Sequence, residues 1–136
     1  MSELFKTEHP LKIIIVDDSE FSRHSISSIL EAAGHDILGE AANAEQTLEI
    51  LSSRKADLII LDVVMPDVTG LELAKHINDN FDNIYIIMIS SLAQEHIILE
   101  AISAGASDFI QKPFKQSDLI ISVEKISSQV KEDKNI

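Results

Sequence analysis

Short runs of β-branched and aliphatic residues alternate with longer segments of helical period, and this alternation constrains the fold more than any other feature of the chain. The runs are Lys12 to Val16, Asp36 to Glu40, Asp57 to Leu61, Ile84 to Ile89 and Asp108 to Gln111. Helix candidates lie between and after them. Ser19 to Ala33 sets Phe21, Ile29, Leu30 and Ala33 near one face, with Ser19 as cap and Gly34 as stop. The next opens on Asn43 and Gln46 in a capping-box arrangement and buries Leu48 and Leu51. Thr69 to Asn80 carries Leu71, Ala74 and Ile77 on one stripe. Ala93 to Ala104 carries Ile97, Ile98, Ala101 and Ile102 and ends at Gly105. Ser117 to Val130 carries Leu119, Val123, Ile126 and Val130 before a polar end. A helix after every strand makes each connection a crossover, which predicts a parallel sheet covered on both faces. The expected class is α/β, doubly wound.

In such a sheet every strand ends on the same edge, and ligands bind beyond the carboxyl ends where the strand order reverses. The third run leads through Leu58, Ile59, Ile60 and Leu61 to Asp62, after which Pro66 and Gly70 break the pattern. A carboxylate at the tip of a buried strand is costly unless it is paired, protonated or bound to a metal. Three other strands add to this edge: the first ends in Asp17-Asp18, the fourth in Ser90-Ser91 and the fifth in Lys112-Pro113. Each has a plain explanation alone, as a helix cap, a loop cap or a surface cation. Together they do not, because two unit charges ~4 Å apart interact by roughly 4 kcal/mol at an effective dielectric near 20. Three carboxylates need counter-charge. Lys112 supplies one, and a hard divalent cation such as Mg²⁺, which prefers oxygen ligands, is the natural second. A carboxylate between Mg²⁺ and a lysine is set up to attack a phosphoryl group, since phosphoryl transfer needs mainly positioning and charge neutralisation. The residues therefore point to a metal-assisted aspartyl phosphate.

Composition narrows the partners. The 136 residues suit one domain, expected over residues 11–131 with residues 1–10 and 132–136 as tails. Eleven basic against 23 acidic residues leave a net charge of −12, which argues against nucleic acid or an anionic membrane surface. Cysteine is absent, so disulfides and thiolate ligands are excluded. No apolar run is long enough to span a bilayer, and Met1 to Pro10 does not read as a targeting segment, so a soluble, cytoplasmic protein is expected.

These residues resemble the receiver domains of two-component response regulators, and the resemblance runs from about Leu11 to Val130. It rests on Asp17-Asp18 after the first strand, on Asp62 followed by Met65-Pro66 and Gly70, on Ser90, and on Lys112-Pro113. It implies a flavodoxin-like five-stranded parallel sheet of order 2-1-3-4-5 with five helices, as in a stand-alone chemotaxis-type receiver. It implies that Asp62 is the phosphoacceptor, supplied by a phosphohistidine on a histidine kinase or phosphotransfer protein. Asp18 and Asp62, with the Val64 backbone carbonyl, are the implied Mg²⁺ ligands, and Asp17 acts largely through a metal-bound water. By the same resemblance Lys112 pairs with Asp62 and then with phosphoryl oxygens. Ser90 is the implied switch hydroxyl, Phe109 the aromatic that swings inward after it, and Lys112-Pro113 a cis peptide. Phe109 also reads plainly as strand core. Such a domain catalyses only its own phosphorylation and dephosphorylation. Val64 and Leu92, two positions past Asp62 and Ser90, cannot orient an attacking water, which implies a long-lived phosphoryl group.

Ile97, Ile98, Leu99, Ile120 and Ile121 exceed what single buried stripes need. They read either as a wide core-facing surface or as a face for a downstream protein target or a phosphorylation-dependent homodimer. Two further classes stay open: a Mg²⁺-dependent hydrolase of the haloacid dehalogenase type, against which the adjacent Asp17 and Asp18 count, and an unphosphorylated receiver acting as a binding module. A glycine-rich phosphate loop is excluded by only four glycines, none grouped after the first strand. The chain ends soon after the last helix, which favours a stand-alone receiver over a fragment.

Overall fold

The computed structural model describes residues 6–134. The strands are β1 (Lys12–Val16), β2 (Asp36–Ala41), β3 (Leu58–Asp62), β4 (Tyr85–Ser90) and β5 (Asp108–Gln111). The helices α1 (Glu20–Ala32), α2 (Ala44–Ser53), α3 (Gly70–Asn80), α4 (Glu95–Ser103) and α5 (Gln116–Lys134) follow them in turn. The strands form one sheet of order β2-β1-β3-β4-β5, every pairing parallel. This is the flavodoxin-like arrangement that the family resemblance implies.

Alternation along the strands divides the core in two. Ile14 and Val16 of β1, Ile59 and Leu61 of β3, and Ile86 and Met88 of β4 pack against α2, α3 and α4 through Leu51, Leu73, Ile77 and Ala101. Their neighbours Ile13, Ile15, Leu58, Ile60, Ile87 and Ile89 turn to the other face and meet Ile26 and Leu30 of α1 and Leu119, Val123, Ile126 and Val130 of α5. Because β3 is covered on both faces, all five of its residues are buried. Each fully buried branched side chain contributes about 1.5–3 kcal/mol, so the strand that carries Asp62 is firmly held.

Local signals work where they are satisfied by near neighbours. Ser19 accepts from Ser22 N at 3.2 Å, and Gly34 leaves α1 with φ +97°. Asn43 accepts from Gln46 N at 2.8 Å as expected, while Gln46 Oε1 accepts from Ala42 N at 2.7 Å, one residue ahead of the amide that a capping box uses. Phe21 is a correction. It is 84% exposed, because the buried stripe of α1 runs through Ile26, Leu30 and Ala33, and Phe21 stands about 140° around the helix from Ile26. Ile102, expected on the buried face of α4, is 59% exposed, and Ala101 alone in that helix is fully covered. Ile120 is buried rather than surplus, whereas Leu99 and Ile121 do face outward. The last helix begins at Gln116 and continues past Val130 to Lys134, where Tyr85 Oη donates to Asp133 at 2.6 Å. At the other end, Thr7 N donates to the Ala33 carbonyl at 2.7 Å, so residues ahead of β1 lie against the body. Residues 1–5 and 135–136 of the expected tails lie outside the described residues.

Candidate functional site

Register brings the acids together. β1 pairs with β3 so that Val16 lies opposite Leu61, and the next residue on each strand, Asp17 and Asp62, therefore emerges beside the other. On the far side of β3, Asp62 lies opposite Ile89, and Ser90 in turn lies opposite Gln111, which puts Lys112 just past the same edge. Gly70 closes the structure behind Asp62: a Cβ at this position would collide with the Asp62 carbonyl oxygen and the Val63 Cα, so only glycine lets α3 start this close to β3. Gly70 N donates to the Val63 carbonyl at 2.7 Å across that approach.

The side chains converge as the strand ends predict. Lys112 Nζ donates to Asp17 Oδ2 at 2.8 Å and to Asp62 Oδ2 at 3.0 Å. Asp17, Asp18 and Asp62 each offer an oxygen within 4.8 Å of the others. Asp17 and Asp62 are buried, at 2% and 8% exposure, whereas Asp18 faces solvent. One ammonium thus serves two buried carboxylates while a third stands beside them. The consequence is asymmetric. Burial pushes the Asp62 carboxyl above its ordinary range, and its bonds from Lys112 and Val64 N only partly oppose this. Burial alone would lower Lys112, but two carboxylate partners outweigh it and hold the ammonium above its ordinary range. The lysine gains from both acids; Asp62 must share its cation. The unspent negative charge and all-oxygen donors fit a hard divalent cation of the Mg²⁺ type.

Val64 N donates to Asp62 Oδ1 at 3.1 Å, and the Val64 side chain is 51% exposed at the rim. Ser90 is completely buried, its Oγ accepting from Leu92 N at 2.9 Å. Phe109 is half-buried in β5 and packs against the α2–α3–α4 core. The Lys112-Pro113 peptide is cis. Two contacts were not foreseen. Asp17 meets Lys112 directly and more closely than Asp62 does, and Arg23 Nη1 of α1 donates to the Asp17 carbonyl at 2.6 Å. No spacing rule links Arg23 to Asp17; only the packing of α1 over the end of β1 brings them together.

The family model of the response regulator receiver domain matches residues 13–124. A chemotaxis protein CheY of Thermotoga maritima is 36% identical over 116 residues, covering 85% of this chain and 97% of that protein. CheY of Bacillus subtilis is 36% identical over 114 residues, covering 84% of this chain and 95% of that one. Among solved structures, a CheY-like receiver domain protein from Methanospirillum hungatei aligns with TM-score 0.84 and 26% identity, covering 91% of this chain and 98% of that one.

Proposed function

We propose that this chain, which belongs to the response regulator receiver domain family, is a cytoplasmic phosphorylation switch whose phosphoacceptor is Asp62. The observation that carries this reading is the sharing of Lys112 Nζ between Asp17 and Asp62 at 2.8 and 3.0 Å, with Asp18 in the same oxygen cluster. The phosphodonor is a phosphohistidine of a histidine kinase or phosphotransfer protein. Asp17, Asp18 and Asp62, with the Val64 carbonyl, would hold Mg²⁺, which when bound neutralises carboxylate charge and the charge on the transferring phosphoryl oxygens. An Asp62 carboxylate oxygen attacks phosphorus, the P–N bond breaks, and the histidine nitrogen leaves with the electron pair. Lys112, already 3.0 Å from Asp62, remains beside the carboxyl group and pairs with the phosphoryl oxygens.

Among the described residues Ser90 Oγ is engaged by Leu92 N alone, so its own proton is free to be donated to a new acceptor at Asp62. Turning Ser90 in this way vacates space that Phe109, half-buried in the adjacent strand, fills. The face altered is that of α4, β5 and α5, where Leu99, Ile102 and Ile121 are 57%, 59% and 56% exposed, and it meets a downstream protein or a second copy of the chain. Val64 and Leu92 offer an attacking water no hydrogen bond, so the phosphoryl group is long-lived.

Incubation with acetyl phosphate and Mg²⁺, followed by intact-mass measurement, tests the reading. The wild type gains the mass of one phosphoryl group and Asp62→Ala gains none. Equal labelling of both proteins would place the acceptor elsewhere, and steady hydrolysis without labelling would make the protein a phosphatase.

A further inference from the structure

The segment joining β3 to α3 holds Val64 and the close approach of Gly70, and it is fastened midway by a contact that the phosphoacceptor motif does not call for. The Asp67 carboxylate accepts from Ala44 N at 3.0 and 3.2 Å and from Glu45 N at 3.4 Å, both in the first turn of α2. It also accepts from Val68 N at 2.9 Å. The other early amides of α2 are served locally: Gln46 N by Asn43 Oδ1 at 2.8 Å and Thr47 N by the Asn43 carbonyl at 3.2 Å. The Thr47 bond is the first ordinary bond of the helix; of the three helical amides ahead of it, which lack partners inside the helix, one goes to the helix's own cap and two to a carboxylate from a different loop. The positive end of the helix dipole holds that carboxylate, and these backbone donors keep its carboxyl below the ordinary range despite an opposing desolvation. Asp67 therefore stays ionised and attached at neutral pH.

The loop is thus pinned at four places: Val63 N on the Ile89 carbonyl, Val64 N on Asp62 Oδ1, Asp67 on α2, and Gly70 N on the Val63 carbonyl. Val64 contributes little packing of its own, since its side chain is half in solvent. The backbone of Val64 is consequently aimed by its neighbours: Met65 and Val68 pack partly buried against the core, and among the described residues Asp67 makes the polar tie from the middle of the loop to another element. We infer that Asp67 is a positioning residue for the phosphorylation site: by anchoring the β3–α3 loop to the start of α2 it sets the Val64 carbonyl for the cation. This rests on the proposed role of the Asp17, Asp18 and Asp62 cluster. The plain alternative is that Asp67 only caps α2, in which case any other cap of that helix should matter equally.

Asn43 provides that control, because it caps the same helix from within and, among the described residues, makes no hydrogen bond to the loop. Calorimetric titration with Mg²⁺ and thermal midpoints are measured for the full chain as wild type, Asp67→Ala, Asp67→Asn and Asn43→Ala. Asp67→Ala should bind Mg²⁺ about tenfold more weakly, the low end for loss of a group supporting a metal site. Asn43→Ala should lower the thermal midpoint while leaving Mg²⁺ affinity unchanged. Asp67→Asn, which keeps one acceptor oxygen, should fall between wild type and Asp67→Ala. Wild-type affinity in Asp67→Ala overturns the inference, and so does an equal loss in Asn43→Ala. Should Asp67→Ala fail to fold, the comparison of Asp67→Asn with Asn43→Ala decides in the same way. Wild-type protein that takes no Mg²⁺ at all would overturn the reading of the cluster itself, a separate outcome seen before any variant is compared.

Discussion

The two edges of the sheet treat buried polar groups in opposite ways. At the amino edge most groups pair with one another, although His9 Nε2 and Glu124 Oε1 are buried without a hydrogen bond among the described residues. His35, its side chain 1% exposed, accepts from Leu11 N at 3.0 Å and lies 3.4 Å from Glu124 of α5. Ser127 donates to the His9 carbonyl at 2.6 Å, and Asp57 accepts from Lys12 N at 2.9 Å. Tyr85 is pushed up to about 12 by burial and by its bond to Asp133. At the carboxyl edge three carboxylates face one ammonium, and the excess charge has no partner among the described residues. The amino edge holds helices and strands together; the carboxyl edge keeps an unmet demand for positive charge, which is what a binding site for a cation and a phosphoryl group requires. Burial by itself therefore does not identify a functional carboxylate. The ratio of charges at the site does.

The contrast should break first at the amino edge. Replacing His35 with Ala removes a buried ring and leaves Leu11 N without its acceptor, and should cost about 3 kcal/mol in urea unfolding. An unchanged midpoint would mean that this edge is not held by its pairs. The imidazole also gives the edge a pH dependence. Burial keeps His35 below its ordinary 6.5, with Glu124 opposing, so its stabilising contribution is complete above pH 6.5 and is lost as pH falls through the folded-state value. Unfolding midpoints from pH 8 down to pH 5, on the order of the histidine range, should fall more steeply for wild type than for His35→Ala.

Next in size is Lys112→Ala, which strands Asp17 and Asp62 without their shared cation. With Lys112 one-quarter exposed the loss should be about 2 kcal/mol in Mg²⁺-free buffer, below that of a fully buried pair. Asp62→Asn should move the other way, raising apo stability by less than Lys112→Ala lowers it. The sign follows from the raised Asp62 carboxyl: its contribution is favourable below the ordinary 3.8 and is lost as pH rises through the folded-state value, so at neutral pH the ionised group is a net burden. A lower midpoint for Asp62→Asn would show that its bonds to Lys112 and Val64 N outweigh burial. Asp18→Ala should give the smallest change in apo stability, because Asp18 faces solvent, while losing most of the stabilisation that Mg²⁺ confers on wild type. An undiminished Mg²⁺ response in Asp18→Ala would remove this residue from the cation's ligands.

Most of the fold was legible because its elements report themselves locally. Five β-branched runs, the caps at Ser19 and Asn43, and the stops at Gly34 and Gly105 depend on residues within a turn of one another. The site acids were legible for a related reason: in a parallel doubly wound sheet, any residue just past a strand must reach the common edge. What failed was the orientation of side chains near element ends. Phe21 and Ile102 are apolar and helical, but one or two residues of phase decide between core and solvent, and periodicity leaves that phase loose near an element's end.

The strand count, the edge to which Asp17, Asp18, Asp62, Ser90 and Lys112 are delivered, and the shortage of positive charge there all follow from period and composition. That Asp17 shares Lys112 with Asp62, that Arg23 holds the Asp17 carbonyl, and that Asp67 crosses to the start of α2 emerge only from packing. Those contacts join residues far apart in the chain, and their lengths depend on register and helix placement to within an ångström. Both are set by how the whole core packs rather than by any local pattern of residues.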